Sequence, residues 1–232
     1  MRNVLEVNNL VKSYGRQSVL SGASFTVKPG RIVGLMGPNG SGKTTMLNII
    51  AGLSRFKSGE ITVDGRPLGF HSRSSISYMP DENFLYEEMK VGDAVSYYKD
   101  FFPDFNQEKN EKLLNFMGLD SKQKVDKLSK GNVEKLLIAL TLSRDTNLYL
   151  LDEPLGATDP VIKSQIIDSI LENFTRENSA LLISTHLIKD VEKLLDDIMF
   201  LKEGRITLSG DCDDLRKEYG KTIEEIYIST FS

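Results

Sequence analysis

The sequence predicts an α/β fold. A mainly parallel sheet surrounds a phosphate-binding loop, an N-terminal antiparallel β layer lies beside it, and a helical subdomain is inserted. Three observations carry this reading. The run Gly37-Pro38-Asn39-Gly40-Ser41-Gly42-Lys43-Thr44 fits G-x-x-x-x-G-K-[ST] between an apolar run and an amphipathic one. Short apolar runs at 32–36, 148–151, 181–184 and 198–201 read as strands buried on both faces. From about 90 to 145 the periodicity turns helical.

Residues 4–7 and 19–27 alternate like half-exposed antiparallel strands, with Tyr14-Gly15-Arg16 as a turn. The strand at 32–36 enters the glycine-rich loop, and a helix with an apolar face starts at Thr45. Residues 60–63 and 76–79 read as further strands, with a turn signal at Asp64-Gly65, and are expected to add to the antiparallel layer. Helices are expected over 91–102, over 108–117 with Asn106 as N-cap and Gly118 as stop, and over 131–143. The aromatics Tyr97, Tyr98, Phe101, Phe102 and Phe105 of this block read mostly as core. After the strand at 148–151, Asp159 caps a helix whose first residue is Pro160. Ile162, Ile166, Ile167, Ile170, Leu171 and Phe174 share one of its faces. The chain is therefore read as one domain, 1–232. Residues 1–89 and 146–232 form the core, and 90–145 form the helical subdomain.

Composition narrows the function. The 232 residues are 40% hydrophobic and 27% charged, ordinary for a globular protein. A net charge of −4 gives no field for nucleic acid, and no nucleic-acid partner is expected. The one cysteine, Cys212, allows no internal disulfide and reads as structural or inert, which suits a reducing compartment. The N-terminus lacks the apolar core of a secretory signal, and no stretch approaches the roughly 20 apolar residues that span a bilayer.

The chemistry starts at the loop. Its glycines let successive N–H groups face a polyphosphate above a helix N-terminus. Lys43 can reach the outer phosphates, and the Thr44 hydroxyl can take a place on Mg²⁺. The strand before Asp152-Glu153-Pro154 ends in two adjacent carboxylates, at the sheet edge where such folds bind ligands. Asp152 is the expected metal ligand, and Glu153 the group that polarises an attacking water. Neighbouring residues of a strand point to opposite faces, so Glu153 must lie just past its end.

With these residues in view, the chain resembles the ATP-binding subunit of an ABC transporter over essentially its whole length, a P-loop NTPase core with an inserted helical subdomain. The resemblance implies that Tyr14 stacks on adenine and that Gly37 to Thr45 form the Walker A loop, with Gly37, Pro38, Asn39, Gly40, Ser41, Gly42, Lys43, Thr44 and Thr45 around the phosphates. Residues 148–153 match Walker B, Asp159 the D-loop and His186 the switch histidine at the γ-phosphate. Glu153, His186 and Lys43 would be catalytic. Leu128-Ser129-Lys130-Gly131-Asn132 stands where the family has Leu-Ser-Gly-Gly-Gln; Ser129 and Gly131 would contact ATP in trans. Lys130 either adds to phosphate binding or faces solvent. Asp81 occupies the position of the Q-loop glutamine and would join Thr44 and Asp152 on the metal. Gly156-Ala157-Thr158 departs from the usual D-loop pattern. His71 is assigned no function.

The implied activity is ATP hydrolysis with Mg²⁺, driving transport, with a lean towards export. The implied partners are a second ATPase cassette, identical or not, and a transmembrane permease that supplies the spanning part. The chain would then sit in the cytoplasm, peripheral on the inner face of the membrane. Phe84 and Tyr86, after the Q-loop, either touch that permease or pack internally. Two other readings stay open: a soluble ABC-type ATPase acting on ribosomes or DNA, and a P-loop kinase acting on a small molecule.

Overall fold

The computed structural model describes every residue except Met1, Ala157, Thr158, Thr175 and Arg176. In chain order the first elements are β1 (Leu5–Tyr14), β2 (Gln17–Val27), β3 (Ile32–Met36), α1 (Lys43–Ile50), β4 (Ser58–Val63), β5 (Arg66–Pro67), α2 (Phe70–Arg73) and β6 (Ile76–Met79). Three helices follow: α3 (Val91–Phe101), α4 (Gln107–Met117) and α5 (Lys130–Leu142). The chain closes with β7 (Leu148–Asp152), α6 (Pro160–Asn173), β8 (Ala180–Thr185), α7 (Ile188–Val191), β9 (Asp197–Lys202), β10 (Arg205–Asp211), α8 (Cys212–Tyr219) and α9 (Ile223–Phe231).

Two sheets organise these elements. The antiparallel sheet has order β2-β1-β4-β5, and the larger one β10-β9-β3-β8-β7-β6. In the larger sheet β9, β3, β8, β7 and β6 run parallel, and β10 closes one edge antiparallel to β9. The parallel strands β3, β7 and β8 are buried at every residue, as their unbroken apolar runs require. The strand at 76–79 corrects an expectation. It pairs parallel with β7, Ile76 opposite Leu148 and Met79 opposite Leu151, and is an edge of the larger sheet rather than part of the antiparallel layer. Ser77 explains why this short strand can lie there: its hydroxyl donates to the Thr141 carbonyl of α5, 2.8 Å away.

The core has two parts, one on each face of the larger sheet. Met46, Leu47, Ile49 and Ile50 of α1 pack with Val33, Leu35, Leu148, Leu150 and Leu182 on one side and with Leu5, Val7, Leu10 and Leu20 of the antiparallel sheet on the other. The phosphate-loop helix is thus clamped between the two sheets. The opposite face carries α5, α6 and the inserted helices, through Leu136, Leu140, Tyr149, Ile166, Ile170 and Ile183. Capping follows the sequence signals. The Asn106 side chain accepts from Lys109 N, Gly118 ends α4 at a left-handed φ of 69°, and Asp159 accepts from Val161 N ahead of Pro160. Leu171 leaves the expected apolar face and is exposed, as are Tyr97 and Phe101, which stack on each other at 4.4 Å. Tyr98 of the same aromatic group is buried.

Arg144 ties the insert to the larger sheet. Its buried guanidinium donates to Asp104 and to the carbonyls of Ser74 and Ile76, and lies 4.1 Å over the Phe102 ring. Among the described residues, no helix is long and apolar enough to cross a membrane.

Candidate active site

The site forms where β3, β7 and β8 end on the same edge of the larger sheet. Two glycines of the loop after β3 hold positions that a side chain would disturb. A Cβ on Gly37 would lie 2.6 Å from Ser41 Oγ and 2.7 Å from the Leu201 carbonyl, and Gly42 holds a φ of 103° at the N-cap of α1. Lys43 folds back along this loop. Its buried ammonium donates to the Gly37 carbonyl at 2.8 Å and the Pro38 carbonyl at 3.4 Å. The Ser41 hydroxyl is buried and has no partner among the described residues.

Asp152 and Glu153 divide as the end of a strand requires. Asp152, the last residue of β7, is fully buried, and its Oδ1 accepts a hydrogen bond from the Ser184 hydroxyl of β8. Burial raises its carboxyl above the ordinary value. Hydrogen bonds from Ser184 and Thr44 act against that rise, and the charges of Asp81 and Glu153 add to it. Among the described residues, no donor reaches Oδ2 at ordinary hydrogen-bonding distance. Glu153 then turns away from the strand with a left-handed φ of 47°. That turn, rare for a residue with a Cβ, swings its side chain to the loop and is held by Glu153 N donating to Ser184 O and Oγ, both at 3.1 Å. Its Oε1 lies 3.4 Å from Lys43 Nζ and its Oε2 2.9 Å from His186 Nδ1. Lys43, Glu153 and His186, from three separate segments, thus form one contiguous chain of contacts.

The remaining expected residues occupy different places. Tyr14 ends β1 and is exposed, with Lys12 Nζ 4.4 Å from its ring centroid. Asp81 is exposed just past β6, close enough to act on the charge of Asp152. Ser129 is the N-cap of α5, its hydroxyl accepting from Asn132 N at 3.3 Å, with Gly131 buried behind it. Lys130 is exposed, 4.0 Å from Glu134 Oε1. Among the described residues, no hydrogen bond or ion pair joins Ser129, Lys130 or Gly131 to the phosphate loop. Asp159 caps α6, while Ala157 and Thr158 of the D-loop stretch lie outside the described residues.

Tyr78 went unnoticed in the sequence. Its hydroxyl donates to Asn48 Oδ1 of α1 at 3.2 Å, and burial first, then the Asp152 charge, hold it above its usual value. It ties β6 to the loop helix within reach of the Asp152 charge. Ser184 was read as a strand end and as the start of the Ser184-Thr185-His186 stretch, with no role of its own, yet it bonds both Asp152 and Glu153. A hydroxyl in an otherwise aliphatic strand was the only signal available.

The donor set fits a divalent cation shared with phosphate. Asp152 carries an oxygen with no donor among the described residues, the Thr44 hydroxyl is close enough to influence the same carboxyl, and both are hard oxygen ligands. No group of three His, Cys, Asp or Glu side chains among the described residues forms a closed metal cage, so such an ion needs phosphate oxygens to complete its shell.

Comparison with known proteins places this arrangement among relatives. The family model described as "ABC transporter" matches residues 20–156. The lantibiotic transport ATP-binding protein SrtF of Streptococcus pyogenes is 32% identical over 226 residues, covering 97% of this chain and 96% of the relative. The Nod factor export ATP-binding protein I of Rhizobium etli is 33% identical over 233 residues, covering 96% of this chain and 73% of the relative. A solved structure described as the ATP binding subunit of an ABC transporter superposes with a TM-score of 0.88 at 27% identity, covering 99% of this chain and 100% of that one.

Proposed function

This chain belongs to the ABC transporter ATP-binding family, and from that premise we propose how its own residues bind ATP and drive transport, and in which direction. It is an ATP-binding and ATP-hydrolysing subunit that energises transport through a membrane permease. The adenine stacks on Tyr14. The phosphates lie on residues 37–45, and Lys43 exchanges its carbonyl partners for phosphate oxygens. Mg²⁺ is held by Thr44 and Asp152, with Asp81 as a further contact, and supplies charge neutralisation for the β- and γ-phosphates.

Glu153 carries the reading. Its left-handed turn brings one carboxylate to both Lys43 and His186. From there Glu153 takes a proton from the attacking water, and His186 holds the Glu153 carboxylate in place. The loop N–H groups and Lys43 stabilise the transferring phosphoryl group. Ser129 and Gly131 do not join the phosphate loop of their own chain. We therefore assign them to the γ-phosphate of a second cassette, so that two copies, or this chain and a similar one, close around ATP.

Transport by SrtF and export by the Nod factor relative support export here too. The permease anchors the chain in the cytoplasm, on the inner face of the membrane, and exposed Phe84 and Tyr86 are the proposed contacts. The fold boundaries support one domain, with residues 90–145 as its helical subdomain. The test is Glu153→Gln in the chain assembled with its permease. Turnover should fall by roughly 10²–10⁴-fold, the usual contribution of a general base, while ATP still binds. Steady-state hydrolysis at the parent rate would remove Glu153 from this role.

A further inference from the structure

Tyr14 is 54% exposed at the end of β1, yet one side of its ring is occupied. Lys12 stands two residues earlier on the strand. Lys12 pairs with Leu20 and Ser13 with Ser18, so the irregularity here falls on Val19 of β2. The alternation of β1 is kept, and Lys12 and Tyr14 share a face. The Lys12 ammonium lies 4.4 Å from the Tyr14 ring centroid, within cation–π range. Two acceptors in the loop after α1 fix it there. It donates to the Arg55 carbonyl at 2.6 Å and to Ser54 Oγ at 3.1 Å. That loop is itself tied to β1, because Lys57 N donates to the Val11 carbonyl at 2.8 Å.

The phosphate loop meets the same hairpin from its other strand. A Cβ on Gly42 would lie 3.1 Å from the Val19 side chain and 3.2 Å from that of Leu20, the residue opposite Lys12. Ser54 and Arg55 lead instead into β4, which flanks β1 on the side away from β2. The cation is thus drawn away from the phosphate loop, while the ring it touches stays at the loop's rim.

We infer that Lys12, pinned by Ser54 and Arg55, is a positioning residue for the nucleotide base, holding the Tyr14 ring in place and strengthening its stacking. This rests on the reading that Tyr14 stacks on adenine. Lys12 touches no part of the nucleotide and acts through Tyr14. Two effects combine. A ring already held at one face loses less rotamer freedom when a base arrives at the other. The ammonium also draws on the electron-rich face of the ring, leaving the opposite face less repulsive to the π system of a purine. Neither effect reaches the phosphates, so the contribution is confined to the base.

Calorimetry on the full chain, with ATP and with inorganic tripolyphosphate as probes, separates base from phosphates. Lys12→Met should weaken ATP binding about two- to fivefold, the range of an exposed cation–π contact, and leave tripolyphosphate affinity at the parental value. Lys12→Arg, which keeps a cation for the ring, should match the parent with both probes. If Lys12→Met does not fold, Lys12→Gln carries the test with the same expected loss, since it still offers a donor to the Arg55 carbonyl but no charge to the ring. Parental ATP affinity in the uncharged variant, or an equal loss for ATP and tripolyphosphate, overturns the inference. Tighter ATP binding overturns it too, because the ammonium would then occupy the face that the base needs. Separately, Tyr14→Ala should weaken ATP at least about fivefold relative to tripolyphosphate. No such loss would overturn the reading beneath, whereas that loss beside a parental Lys12→Met would overturn the positioning role alone.

Discussion

Asp152 is held at a cost to the folded chain, and replacing it by asparagine should make the nucleotide-free protein more stable while disabling it. The side chain is fully buried, and one carboxylate oxygen has no donor among the described residues. Removing such an ion from water costs several kcal/mol even after relaxation, roughly 3–5 kcal/mol. The hydrogen bond from Ser184 returns about 1.5–3 kcal/mol, the range for a bond to a charged group. A residual penalty of about 2 kcal/mol is left at mid-range, within a span of about 0–3.5 kcal/mol. Asparagine keeps an acceptor for Ser184 and turns the orphaned oxygen into a donor among Asp81, Glu153 and Thr44. For a chain of this size each kcal/mol moves Tm by about 2–4 °C, so at the mid-range penalty Asp152→Asn should unfold roughly 4–8 °C higher in chelator at pH 7. Burial raises the folded-state value above the usual 3.8. Protonation therefore favours the folded state: the associated stability is complete below 3.8 and lost as pH rises through the folded value. The advantage of the variant should shrink as pH falls into that window. Scanning calorimetry across pH, with chelator present, measures it. A lower Tm for Asp152→Asn at pH 7, or a gap that widens in acid, would refute the reasoning.

Lys43→Ala should weaken ATP binding at least tenfold by calorimetry, since a charge-assisted bond is worth about 1.5–3 kcal/mol; unchanged affinity would contradict the phosphate-loop assignment. Asp81→Asn should raise the Mg²⁺ needed for half-maximal hydrolysis severalfold, and an unmoved Mg²⁺ titration would make Asp81 a bystander. Arg144→Met strands two backbone carbonyls and the Asp104 charge. It should cost about 3–5 kcal/mol and lower Tm by roughly 10 °C, and a Tm within a degree of the parent would show that the guanidinium does not brace the insert.

The parts legible in the sequence were those with local signals. Strands at 32–36, 148–152 and 180–185 are buried on both faces and so read as unbroken apolar runs. Asn106, Gly118 and Asp159 mark helix ends through bonds to residues two to four positions away, and Pro160 marks one by its fixed backbone at the first helical position. Edge strands gave weaker signals. In β10 exposed and half-exposed residues alternate, with little apolar contrast, and it went unread. The strand at 76–79 was recognised but misassigned, because its neighbour β7 lies some seventy residues downstream. The site was legible as motifs but not as a network. That Ser184 bonds both the Asp152 carboxylate and the Glu153 backbone, and that Tyr78 of β6 reaches Asn48 of α1, are long-range pairings, without any periodicity to betray them. The turn of Glu153 was required by strand geometry, yet its left-handed backbone appears only once Ser184 is in place.

The most direct measurement is a structure of Glu153→Gln with ATP and Mg²⁺. Two chains should enclose each nucleotide, its γ-phosphate between Lys43 of one copy and the Ser129 hydroxyl of the other. A single chain holding ATP with Ser129 turned to solvent, or residues 37–45 empty at saturating nucleotide, would contradict the account.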